Sequence, residues 1–148
     1  MATQCKLYTN IRQPIPPNTW TTIRFDTVLR NDDGMYQGDG TAKNPNSALI
    51  KPKTSGDFIW SYLVKFDDIG TYEGDERQFN VRFVRDPYTN PDNTGESDAD
   101  DTVGQDLRNG TWLFHGNAGQ PVAIEVRHTH TEPVDVIHAQ FSATTWDY

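Results

Sequence analysis

The stretch DFIWSYLVKF, residues 57–66, puts a large side chain at every second position: Phe58, Trp60, Tyr62, Val64 and Phe66. Successive side chains of an extended chain point to opposite faces, so these five share one face of a β-strand. The other face is not simply polar, because Ile59 and Leu63 stand on it. A strand of this kind is expected in the middle of a sheet, covered on both sides. A single sandwich covers one face only. The second cover would be another copy of the chain or a loop.

Alternation recurs outward from there. Thr21–Leu29 reads as one half-buried strand, with Ile23, Phe25, Thr27 and Leu29 on one face and Thr22, Arg24 and Asp26 on the other. In RQFNVRFVRD (77–86), Phe79, Val81 and Phe83 alternate with Asn80 and Arg82. GTWLFHG (110–116) is a short aromatic strand. PVAIEVRHTH (121–130) sets Val122, Ile124 and Val126 against Glu125 and Arg127. VDVIHAQFSATTW (134–146) places Ile137, Ala139, Phe141 and Ala143 on one side. Leu49–Ile50 reads as a short strand ahead of Pro52, since proline suits a strand end. NDDGMYQGDGTAKNPN (31–46) is rich in turn formers, and Asn31–Gly34 reads as a turn with Gly34 at positive φ. DPYTNPDNTGESDADDTVGQ (86–105) is the longest polar loop.

The 148 residues suit one domain, read as an arm at 1–10 and a domain at 11–148. Little of the chain favours helix. The pattern predicts an all-β antiparallel jelly-roll sandwich of about eight to ten strands. The net charge of −8 argues against a nucleic-acid partner, which needs a basic stripe. No apolar run approaches the roughly 18 residues of a membrane span, so no membrane insertion is expected. A single cysteine, Cys5, rules out an intrachain disulfide. The opening residues lack the basic and apolar regions of a secretory leader, so no signal peptide is expected.

The order of these pieces resembles the C1q/TNF-like jelly-roll domains of bacteriophage virion proteins. The resemblance is carried by QPIPPNTWTTIRFDTVLRNDDGMY (13–36), LIKPKTSGDFIWSYLVKF (49–66), RQFNVRFVRD, AGQPVAIEVRHT (118–129) and HAQFSATTW (138–146). Gly56 and Phe58 fall at that family's strand-pair glycine and aromatic. Gln120 and Pro121 replace its usual acidic step, and Ala143 stands where glycine is common. The resemblance spans nearly the whole chain. It implies a homotrimer in which one sheet, holding the first, central and last strands, packs near the threefold axis. Trp20, Phe58, Trp60, Tyr62, Phe66 and Phe141 are then the expected interface and packing residues. Trp20 and Arg24 are expected to face a neighbour or solvent.

Three chemical readings accompany that one. His128 and His130 form a His-x-His pair, a possible metal site if both project from one strand face; they also fit two surface histidines at a strand end. A cupin-like metal protein would use such a pair, but Gly119 lies nine residues before His128 and Glu132 only two after His130, away from the cupin spacing. Asp92, Glu96, Asp98, Asp100 and Asp101 could hold Ca²⁺ or contact a partner, with Asp98, Asp100 and Asp101 the contact candidates; a solvated charge run is the plainer alternative. Trp20, Tyr36, Tyr88, Trp112, Trp146 and Tyr148 could stack on a glycan or pack internally. No serine sits in a nucleophile-elbow setting, and Cys5 has no adjacent base.

The expectation is therefore a non-enzymatic virion structural protein, assembled in the host cytoplasm and displayed on the particle surface. Capsid decoration, with the major capsid protein as partner, is the first reading, because few residues precede the fold. The short arm would then add a strand to a neighbouring protein. A tail-fibre or minor tail protein binding a host-surface receptor or glycan is the alternative.

Overall fold

The computed structural model describes residues 2–67, 78–88, 94–100 and 107–145, with backbone alone for 94–100. Among these residues ten strands form: β1 (Gln4–Thr9), β2 (Gln13–Ile15), β3 (Thr21–Thr22), β4 (Thr27–Asn31), β5 (Gly56–Phe66), β6 (Phe79–Arg85), β7 (Thr94–Asp100), β8 (Leu107–Gly116), β9 (Val122–His128) and β10 (Val134–Thr145). The large sheet runs β4-β1-β10-β5-β8, with β2 also on β10; the small sheet runs β3-β9-β6-β7. All pairings are antiparallel.

The alternation of 57–66 decides the packing. Phe58, Trp60, Tyr62, Val64 and Phe66 all turn inward from β5 and are buried. They meet Phe79, Val81 and Phe83 of β6 and Val122, Ile124 and Val126 of β9. Each such side chain is worth about 1.5–3 kcal/mol by leaving water. The aromatic rings are also ordered among themselves. Trp60 stacks on Phe114 at 4.9 Å between centroids, and Tyr62 on Trp112 at 6.0 Å. The Phe83 ring meets Tyr62, Trp112 and Phe114 edge-on. The Trp60 indole N–H donates to the Phe114 carbonyl at 3.2 Å, which answers its one polar atom.

Several expectations change in three dimensions. Thr21–Leu29 is not one strand. The chain leaves the small sheet after Thr22 and enters the large sheet at Thr27. Ile23 and Phe25 are fully buried on the way, their N–H groups bonded to the Ile124 and Ser47 carbonyls. Leu29 lies beyond the crossing and is 66% exposed. Periodicity reports an extended backbone, not which sheet it joins. Residues 4–9, expected as an arm, form β1 between β4 and β10, and Cys5 is fully buried. Part of the polar loop at 86–105 is strand β7, paired with β6. Ile50 makes a single bridge to Val122 in place of a strand. In β10 the register with β5 shifts between Val136 and His138. That irregularity puts Val136 and Ala139 in the core and leaves Ile137 partly exposed. The turn after β4 is as read: Asp33 and Gly34 both have positive φ, at 58° and 64°.

Trp112 can lie over Tyr62 only because residue 110 has no side chain. A Cβ there would collide with the Trp112 ring, and would sit 2.8 Å from the Tyr62 hydroxyl. Gly110→Ala should cost about 1–3 kcal/mol, the usual penalty for overpacking, read as a lower urea midpoint. An unchanged midpoint would show that the ring stack is not the constraint described.

Candidate functional site

Strand parity makes the inward and outward faces of the large sheet complementary. Because the aromatic residues of β5 point in, Ile59, Ser61, Leu63 and Lys65 point out. Register then sets the rows of the outward face. Leu113 stands opposite Ile59, which stands opposite Thr144, which stands opposite Gln4. The next row is Thr111, Ser61, Ser142 and Lys6, and the third is Asn109, Leu63, Gln140 and Tyr8. No carboxylate occurs in these rows, although the chain has 21 acidic residues. A shallow groove of about 250 Å³ crosses them, lined in part by Lys6, Leu29, Ser61, Leu63 and Gln140. Val28, Leu29, Leu107 and Leu113 are exposed on β4 and β8, at the two edges of this sheet.

The predicted packing residues sort by side. Phe58, Trp60, Tyr62, Phe66 and Phe141 all lie between the sheets, 0–3% exposed, so they build the subunit's own core. Their parity neighbours Ile59 and Leu63, with Leu113 and Leu29, are what the outward face presents. Leu113 was legible in GTWLFHG, since it alternates with Trp112 and Phe114. Leu29 was not, because its strand changes sheet. Trp20 is half-buried beside the small sheet, with the Arg82 guanidinium carbon 4.0 Å from its ring centroid. Arg82 also donates twice to Glu125 Oε1, at 2.9 and 2.7 Å.

The other candidates are dispersed. His128 is fully buried inside the sandwich at the end of β9, whereas His130 lies past the strand. His128 Nδ1 accepts from the His130 N–H at 3.1 Å, and Nε2 faces the Ile15 carbonyl at 2.7 Å. Both ring nitrogens are thus occupied by backbone. His130 Nδ1 in turn accepts from the Glu132 N–H. The pair forms no chelate, and no cluster of three or more metal-binding side chains occurs among the described residues. Asp98 and Asp100 belong to β7, opposite Val81 and Phe79. Asp92, Asp101, Trp146 and Tyr148 lie outside the described residues. Tyr36 is buried, its hydroxyl donating to the Phe25 carbonyl. Trp112 is packed in the ring stack, and Tyr88 is exposed, its hydroxyl donating to the Pro45 carbonyl. Burial pushes the Cys5 thiol up to about 12, with nearby Asp32 adding to the effect, so it stays an inert core thiol.

No protein-family model matches the chain, and no curated protein sequence does. Its structure is nevertheless similar to several solved ones. The globular domain of zebrafish complement 1qA protein matches with a TM-score of 0.59 and 12% identity, over 99% of this chain and 98% of that one. Murine APRIL matches at 0.66 and 8% identity, over 99% and 100%. The Eiger TNF of S. frugiperda matches at 0.60 and 11%, over 99% and 93%. At such identities the likeness is one of fold: the chain is an all-β, C1q/TNF-like jelly roll.

The buried His128 has a thermodynamic consequence. Burial, above all, lowers its pKa below the ordinary 6.5; the Ile15 carbonyl opposes that shift and His130 adds to it. A second ring proton would also point Nδ1–H at the His130 N–H. The folded chain therefore binds this proton less readily than the unfolded chain. Stability from this group is present above about pH 6.5 and is lost as pH falls toward the folded value. The thermal midpoint should drop between about pH 7 and pH 5, and His128→Gln should shrink that drop. An equal drop in the variant would show that another group carries the dependence.

Proposed function

We propose that this chain is a non-enzymatic structural module. Three copies assemble around a threefold axis with the outward faces of their large sheets turned toward it. The carboxylate-free centre of that face carries the reading. In a chain of net charge −8, most random surface patches repel their own copies. Across β8, β5, β10 and β1 the rows through Ile59, Ser61 and Leu63 carry one charge, Lys6, among apolar and small polar side chains, with Arg30 opposite Lys6 on the edge strand β4. Their composition suits the core of a homomeric interface, which is depleted in charge. The β1, β5 and β10 strands all contribute, which is the sheet the family resemblance puts at the axis.

The same resemblance supports a place for the trimer. Segments 13–36, 49–66, 77–86, 118–129 and 138–146 resemble bacteriophage virion jelly rolls, and on that ground the trimer is read as a surface subunit of a phage particle. Capsid decoration is the favoured role, with a threefold trimer bridging copies of the major capsid protein.

Light scattering after size exclusion should give about three times the 16.8 kDa chain mass. Leu63→Asp, and separately the more exposed Leu113→Asp, should shift that mass toward the monomer by placing a carboxylate on each of three facing surfaces. A monomeric wild type at micromolar concentration would overturn the assembly. Cryo-EM of the particle tests the placement: density for the trimer on capsid threefolds supports decoration, and density confined to the tail overturns it.

A further inference from the structure

Among the described side chains, the outward face of the small sheet has an unbalanced charge. Register places Thr22 of β3 opposite Glu125 of β9, which stands opposite Arg82 of β6. Arg127 stands opposite Asn80, one row along. On the other side, the Ile23 N–H bonds the Ile124 carbonyl, which brings Arg24 level with Ala123. Among the described side chains, three guanidiniums, from Arg24, Arg82 and Arg127, therefore share this face with one carboxylate, that of Glu125. Arg82 takes that carboxylate, pairing with Glu125 at 2.7 Å beneath the Trp20 ring.

The other two lack what Arg82 has. Arg127 lies 6.0 Å from the Trp20 centroid, and its Nε is buried with no hydrogen-bond partner. The Arg24 Nε is likewise buried and unpartnered, and so is the amide nitrogen of Asn80, a residue 4% exposed. Gln13 brackets the Arg24 backbone, accepting from its N–H and donating to its carbonyl, and so holds it without answering its charge. Arg24 also lines a polar cavity of about 120 Å³ with Thr22, Thr41, Asn44 and Tyr88. An unanswered buried donor costs about 1–3 kcal/mol, more for a charged group. Three such donors on one face leave hydrogen-bonding capacity that an acceptor from outside the chain can use.

We propose that this strip docks an extended acidic segment of a partner protein, whose carboxylates pair with Arg24 and Arg127 as Glu125 pairs with Arg82. The two arginines are level with positions four residues apart on β9, about 13 Å in an extended strand. That spacing fits two carboxylates on one short peptide. Guanidinium and carboxylate match as planar, bidentate partners. A dense polyanion such as nucleic acid or a sulfated glycan would also meet the field of a −8 chain, whereas a short peptide brings only a few charges close. The site is on the sheet opposite the proposed trimer face and goes beyond the trimer reading.

The test titrates the intact chain with a Gly/Ser peptide of about a dozen residues bearing spaced glutamates. Its glutamine counterpart and a heparin fragment serve as comparisons. The side-chain Nε–H resonances of Arg24 and Arg127 in the wild type should shift with the glutamate peptide. Arg24→Gln and Arg127→Gln should each weaken binding about tenfold, while Arg30→Gln on β4 leaves it unchanged. Added salt should weaken it as well. Equal binding of the glutamine peptide, resonances of both arginines that stay in place, or binding by heparin alone would overturn the proposal. None of these outcomes depends on oligomeric state, which light scattering reads separately.

Discussion

The ring of Trp60 is the contact on which the sandwich depends. It is fully buried and lies against Phe58, Phe114 and Phe141, so one residue ties β5 to its neighbours β8 and β10. Its N–H answers to a backbone carbonyl of β8, which fixes the ring's orientation as well as its depth. Phe83 reaches the same rings from the opposite sheet, meeting Phe114 at 5.4 Å and Phe141 at 6.2 Å. Large aromatic side chains contribute both apolar area and directional ring contacts, about 0.5–1.5 kcal/mol per pair beyond the area.

Once Trp60 points inward, the outward face has no freedom left. The period of a strand is two, so Ile59, Ser61 and Leu63 must face away from the core. A patch with apolar residues and no carboxylate then arises on the surface of an acidic chain. The small sheet does the reverse. Its outward face gathers Arg24, Arg82 and Arg127 around Trp20, with Glu125 as the single counter-charge on β3, β6 and β9. Two chemically opposite surfaces are thus separated by the thickness of one core. The large sheet suits contact between like subunits, and the small sheet suits an acidic partner.

The parts of the fold that were legible in the sequence are those where one strand keeps one face. DFIWSYLVKF did so over its whole length, and so did Val122, Ile124 and Val126. Legibility failed where the chain changed sheets or register. Between Thr22 and Thr27 the alternation runs unbroken through a crossing, so Leu29 looked like a core residue and is exposed. At Ile137 an irregularity advances the pattern by one residue, which a strict period of two cannot anticipate. Thr94–Asp100 has too few apolar residues to look like a strand, yet it pairs with β6. The His128-Thr-His130 spacing resembled a chelate because period-two logic was carried past the end of β9.

The amino-acid sequence by itself determined the all-β class, the aromatic core face of 57–66 and the acidic character of the chain. Those are properties of composition and of local alternation, and they need no knowledge of neighbours. The tertiary structure alone decided which residues became surface. Pairing β1 and β10 side by side, and crossing from β3 to β4, brings Lys6, Leu29, Leu63 and Gln140 to one groove from four distant stretches. Register across β3, β9 and β6 brings Arg24, Arg82 and Arg127 to one strip. Such sets are defined by strand order, and strand order is set by long-range packing that no short window of sequence contains.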